Sequence, residues 1–304
     1  MTSTERPAPL FGVSARPAAR TAAAAIKLAQ VADETGLDLY AVQDHPYNPG
    51  FLETWTLLSV IGGMTQRVRL LPDVANLPLR PPAMLAKAAA TLDLLTGGRV
   101  ELGLGAGAAW DAIESYGGPR RTPGEAVAAL EEAMRIIRAI WTRPGEPINF
   151  AGQHYSLAGA HPGPAPAHPI GIWLGALGPR MLELTGRLAD GWIVSASYIP
   201  PETLPAYHEA IDRAAESAGR PPSAIRRAYN VAGVVQRPGG MAMTARVEGV
   251  TIGTPDRWVD ELARYYAELR MDTFIFWPVG GDEEGQTRLF AEEVVPMVHE
   301  RLQR

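Results

Sequence analysis

The chain has 304 residues, 46% of them hydrophobic, a net charge of −5 and no cysteine, so disulfides, thiolate metal sites and cysteine nucleophiles are excluded. Six histidines stand apart with no HxH or HExxH pair, and the longest basic runs are Arg120-Arg121 and Arg226-Arg227, which argues against dedicated metal chemistry and against nucleic acid as a partner. No apolar run reaches membrane-spanning length and the first ten residues carry no basic-then-apolar leader, so the expected location is cytoplasmic.

Short β-rich runs alternate with longer helical patterns along the chain. Residues 10–14 read as a first strand, 21–35 as an alanine-rich helix stopped by Gly36, 37–42 as a second strand and 53–66 as a second helix. Residues 68–74 form a third strand. The helix that starts near Pro81-Pro82 is expected to bury Met84, Leu85, Ala88, Leu92 and Leu95 and to end at Gly97-Gly98. Residues 100–104 read as strand four. Thr122, Pro123 and Glu125 then spell an N-cap, a first-turn proline and a capping box, followed by Val127, Leu130, Met134, Ile137 and Trp141 at helical spacing.

Residues 143–169 break the rhythm with a small hairpin at 150–157 and a proline-rich extended run at 161–169, read as an excursion because the alternation resumes at once. Strands at 170–174, 192–195, 227–235 and 272–277 follow, with helices at 179–189, 201–218, from Thr254-Pro255, and 283–302. Eight strands and eight helices in strict alternation predict a single-domain (β/α)₈ TIM barrel, with a doubly wound open sheet as the competing architecture.

Function in such a barrel gathers in the loops after the strands. His45, in the polar loop from Gln43 to Gly50, directly follows a strand and can donate a proton or steady negative charge. The plainer alternative is that Asp44 caps a turn and His45 satisfies backbone groups. Asp73 interrupts an apolar strand, where an acid is costly without solvent, a partner or a ligand; Arg80 is the alternative partner. Gly103, Gly105 and Gly107 alternate after strand four and let backbone approach a ligand, without the GxGxxG fingerprint. Trp110 offers a flat wall. Gly178-Pro179-Arg180 sets free N–H groups and a charge at a helix N-terminus, an anion site or else a plain tight turn. Ser195 and Trp277 end strands six and eight and line the cavity or pack the barrel.

Together these stretches resemble the luciferase-like monooxygenase superfamily of flavin- and deazaflavin-dependent oxidoreductases, over nearly the whole chain. The resemblance rests on the Asp44-His45 loop, TQRVRL at 65–70, RPPA at 80–83, TLDLLTGGRVELGLGAG at 91–107, IWLGALGPRM at 172–181, LTGRLADGW at 184–192, TPDRW at 254–258 and DTFIFWP at 272–278. Its form is nearest the branch that uses coenzyme F420. The resemblance implies a non-proline cis peptide at Asp73–Val74 behind the cofactor ring, a ring-facing role for His45, and a phosphate site at Gly178, Pro179 and Arg180. It assigns Asp73, Val74, Asn76, Gly105, Gly107 and Ser195 to the cofactor, and Tyr47, Trp110 and Trp277 to the substrate. Ala108 stands where related sugar-phosphate dehydrogenases carry a glutamate, which argues against that substrate class.

The expected activity is hydride transfer between F420 and a small organic substrate. An FMN-dependent monooxygenase using reduced flavin and dioxygen is the alternative, and a non-catalytic ligand-binding barrel the third. Homodimers occur in the family. Residues 237–253, with Pro238-Gly239-Gly240, Met241 and Met243, are expected to form a mobile lid, or else an insertion packed on the rim.

Overall fold

The computed structural model describes residues 6–143, 145–237 and 248–303. Eight barrel strands run in chain order: β1 Leu10–Ala15, β2 Leu39–Val42, β3 in two pieces, Arg69–Pro72 and Ala75–Asn76, β4 Leu102–Gly105, β5 Ile172–Gly175, β6 Gly191–Ser195, β7 Arg226–Val235 and β8 Thr273–Pro278. They pair in parallel in the order β3-β2-β1-β8-β7-β6-β5-β4, and β4 returns to β3 through Ala75↔Leu104 and the Leu70↔Val100 bridge. The sheet therefore closes on itself, as the alternation predicts.

The helices around it are α1 Ala22–Thr35, α2 Thr54–Met64, α3 Pro82–Thr96, α4 Pro123–Thr142, α5 Pro179–Leu188, α6 Leu204–Ser217 and α7 Pro255–Ala267. The last helical stretch is α8, made of Glu283–Leu289, a π-helical turn Phe290–Val294 and Val295–Gln303. Local chemistry sets the boundaries. Gly36 and Gly97 end α1 and α3 in the left-handed conformation. Thr122 and Glu125 form the capping box that starts α4.

Alternate residues of each strand face the barrel axis. Leu39, Ala41, Leu71, Trp173, Ile193, Ala228 and Ile275 pack there as an inner cluster, while a larger one fills the space between barrel and helices. Strand parity then puts Ser14, Asp73, Ser195, Asn230 and Trp277 in the inward layer nearest the C-terminal mouth.

Four sequence expectations are corrected. The buried face of α3 is Leu85, Ala86, Ala89, Ala90, Leu92 and Asp93, whereas Met84 and Leu95 are exposed. The α4 side chain Trp141 donates from Nε1 to the Ala86 carbonyl at 2.9 Å, and the small residues Ala86, Ala89 and Ala90 are buried beside Leu85 and Leu92. Strand three is interrupted at Asp73–Val74, whose peptide bond is cis as the resemblance implies. An unexpected short helix, Trp110–Ser115, follows β4. Val250–Gly253, expected in the lid, is a strand that extends the sheet beside the outer half of β7. The rest of the expected lid falls largely on residues 238–247, which lie outside the described residues. The excursion contains the hairpin Ile148–Ala151 and Ser156–Ala160. Among the described residues, no helix is long and apolar enough to cross a membrane.

Candidate active site

The loop after β2 is held by ion pairing. Arg80 donates to Asp44 through Nε at 2.6 Å and Nη2 at 2.7 Å, and the Asn76 backbone N–H adds a third bond to the same carboxylate at 2.8 Å. Arg80 also reaches Glu53, the N-cap of α2. Such a bidentate pair fixes orientation as well as charge. Arg80 is thus the partner of Asp44 and not of Asp73, and Asp44 is a buried brace, not the turn cap of the plainer alternative.

That brace presents His45 and Tyr47 at the mouth, with Nδ1 of His45 2.9 Å from the Tyr47 hydroxyl. Partial burial lowers the His45 pKa, only partly offset by the Asp44 charge, which favours a neutral ring. Burial and Asp44 raise the pKa of Tyr47, which stays a phenol able to donate to Nδ1. A neutral His45 then carries its proton on Nε2, which has no partner among the described residues.

A cleft of about 750 Å³, open to solvent, runs from here across the mouth. His45, Tyr47, Val74, Asn76, Gly105 and Gly178 are among its walls. Through Ala106, Gly107, Gly178 and Met181 it continues into a second section of about 960 Å³ bounded by Trp110, Val127, Pro179 and Arg180. Two glycines make the floor possible. A Cβ on Gly103 would lie 2.0 Å from the Pro72 carbonyl oxygen, and one on Gly105 would lie 2.7 Å from the Val74 side chain. The alternating glycines therefore admit the Asp73–Val74 bulge first, and only Gly105 and Gly107 also face the cleft.

At the far end, Gly178 caps α5 without a side-chain bond and Pro179 occupies the first turn. The Arg180 and Met181 N–H groups belong to the unpaired first turn of the helix, an arrangement suited to an anion. The Arg180 side chain is exposed and makes no ion pair among the described residues.

Beneath the cleft, Asp73 accepts a 2.7 Å bond from Asn230 Nδ2, which also reaches Ser195 Oγ at 3.2 Å. Burial raises the Asp73 pKa to about 6, against the opposing bond from Asn230. Ser14 Oγ and Asn230 Oδ1 are buried without a partner. Asp73, Ser195 and Trp277 share this inward layer and are not among the residues lining either cleft section. Asn230 was missed in the sequence. A polar residue amid Tyr229, Val231 and Ala232 is the same signal that singled out Asp73.

Comparison with known proteins identifies the family. The profile of the luciferase-like monooxygenase family matches residues 9–239. A phthiodiolone/phenolphthiodiolone dimycocerosates ketoreductase of Mycobacterium sp. (strain JLS) is 36% identical over 244 residues, 70% of this chain and 60% of that protein. An F420-dependent glucose-6-phosphate dehydrogenase of Gordonia bronchialis is 32% identical over 202 residues, 62% of this chain and 59% of that one. The chain thus spans about half to three fifths of the length of the curated relatives it matches. Among solved structures, an F420-dependent secondary alcohol dehydrogenase in complex with an F420-acetone adduct superposes with a TM-score of 0.84 at 21% identity, covering 96% of this chain and 99% of that chain. Long-chain alkane monooxygenase superposes at 0.79 with 14% identity, covering 98% and 92%. At these identities the structural likenesses establish the fold.

Proposed function

The chain belongs to the luciferase-like monooxygenase family, a family of enzymes, and from that premise we propose that it is an oxidoreductase moving a hydride between coenzyme F420 and a small organic substrate. The observation that carries this is the continuous cleft with an anion-binding helix end on one side and a neutral histidine donor on the other. The F420-dependent relative in sequence supports the choice of cofactor.

The residues fit such a group. The unpaired first turn of α5 and the free Arg180 suit a phosphate, with Gly178 and Pro179 shaping the turn. Val74, Asn76, Gly105 and Gly107 give a close-packed floor and wall for a flat ring, and Asp73 and Ser195 support it from below. When bound, the deazaflavin supplies the site that gives or takes the hydride. His45 holds a proton at Nε2 and donates it toward charge that develops on the substrate oxygen, with Tyr47 fixing the tautomer. Tyr47 and Trp110 bound the substrate side of the cleft, with Trp277 in the layer beneath it, and the barrel with its 143–169 excursion acts as one domain.

An FMN-dependent monooxygenase is the second reading, because FMN-binding and monooxygenase structures superpose almost as well; one is a type II Baeyer-Villiger monooxygenase in complex with FMN, at a TM-score of 0.77. Fluorescence titration of the purified protein with F420 and, separately, with FMN tests the choice. Tight F420 binding with weak FMN binding is expected, and the reverse order would transfer the chain to the second reading.

A further inference from the structure

Asp73 is a carboxylate without a cation partner among the described residues. It sits next to Val74, a wall of the cleft, and faces the barrel axis beneath it. Its one hydrogen-bond donor among the described residues is the neutral amide of Asn230, held in turn by Ser195. The residues of the same inward layer on β1, β6, β7 and β8 are Ser14, Ser195, Asn230 and Trp277, none of them charged. Charged or titratable groups at the mouth among the described residues include Asp44, His45, Tyr47, Arg80 and Arg180. Asp44 and Arg80 neutralise each other, and Asp44 is itself an anion.

A half-buried carboxylate with no counter-charge among the described residues is pushed by desolvation toward the neutral acid. Negative charge brought onto the cleft floor would favour it further, because two anions in a desolvated site cannot both persist cheaply. The unpartnered Asn230 Oδ1 and Ser14 Oγ stand in the same layer and can accept or relay the acid proton.

We propose that Asp73, oriented by Asn230 and Ser195, is a proton acceptor under the cleft floor that takes up one proton from solvent when an anionic ring binds above Val74. The step is a protonation alone: solvent supplies the proton, a carboxylate oxygen receives it, and no electrons move. This rests on the F420 or flavin reading of the cleft, and it assigns Asp73 a role in binding that the anchoring of phosphate by α5 does not supply. It also makes Asn230 a positioning residue.

The test is the Kd of F420, read by fluorescence between pH 5.5 and 8.5, for the wild type and Asp73→Asn. Titration of the ring itself is common to both proteins, so the ratio of the two constants isolates Asp73. That ratio should be near one at the acid end and should rise in favour of Asp73→Asn by about tenfold per pH unit above 6, levelling where the bound-state acid ionises. A ratio constant across the range would overturn the proposal. Failure of F420 to bind the wild type at any pH would overturn the choice of cofactor instead, and the same series with reduced FMN then decides on Asp73. Should Asp73→Asn not fold, carboxyl infrared difference spectra of the wild type on ligand binding decide the matter. A new protonated-carboxyl band supports the proposal and its absence contradicts it.

Discussion

The two ends of the barrel hold their carboxylates differently. At the foot, Arg69 pairs with Glu101 at 3.1 Å and Glu101 also accepts the Gly171 N–H at 2.9 Å. Asp93, fully buried in α3, accepts the backbone N–H groups of Val100, Ala167 and His168, and His168 Nδ1 lies 2.8 Å from its Oδ1. At the mouth, Asp73 has one neutral donor, Asn230 Oδ1 and Ser14 Oγ have no partner, and Arg180 has no counter-ion among the described residues. A desolvated carboxylate without a counter-charge costs stability, so Asp93 and Glu101 serve the fold, whereas Asp73 suits something that arrives from outside. Asp44 with Arg80, a tightly braced unit at the mouth, serves to hold the loop that carries His45.

Substitutions at the two ends should therefore separate activity from stability. The largest effect is expected for His45→Ala, which should lower turnover by roughly 10²–10⁴-fold while changing cofactor affinity much less; steady-state kinetics beside a binding titration measure both. Turnover within a few-fold of wild type would return His45 to a loop-shaping role. At the foot, Asp93→Ala strands three backbone donors and should cost about 3–5 kcal/mol in urea unfolding, with the remaining folded protein binding cofactor normally. A loss of affinity without a loss of stability would erase the distinction between the ends.

Arg180→Ala should weaken cofactor binding by roughly ten- to a hundredfold, as expected for lost hydrogen bonds to a charged group. Its exposed side chain predicts an unchanged melting temperature. The smallest effect concerns Asp73 and stability. Its folded pKa of about 6 lies above the ordinary 3.8, so its stabilising contribution is complete below about 3.8 and is lost as pH rises through about 6. Asp73→Asn should accordingly melt a few degrees higher than wild type at pH 7.5, with the gap closing toward pH 4. A gap independent of pH would mean that Asp73 does not ionise in this window.

The barrel was legible because helix caps and the alternation of elements are local signals: Gly36, Gly97, Thr122 and Glu125 act within one turn of where they stand. The errors came from contacts between elements. The buried face of α3 meets Trp141, 55 residues beyond Ala86, and no local pattern says that a tryptophan will cover its alanines. The site divided in the same way. His45, Gly178 and Arg180 could be found from their place after a strand. The pairing of Asp44 with Arg80 and of Asp73 with Asn230 spans 36 and 157 residues and exists only once the barrel has closed.

The central claim is that the mouth supports hydride transfer and not oxygen chemistry. Stopped-flow mixing of the enzyme and reduced F420 with a panel of small ketones, under strict exclusion of oxygen, tests it most directly. The account predicts reoxidation of F420 that requires both enzyme and ketone and collapses in His45→Ala. Substrate turnover seen only with reduced FMN and dioxygen, with F420 inert throughout, would contradict it.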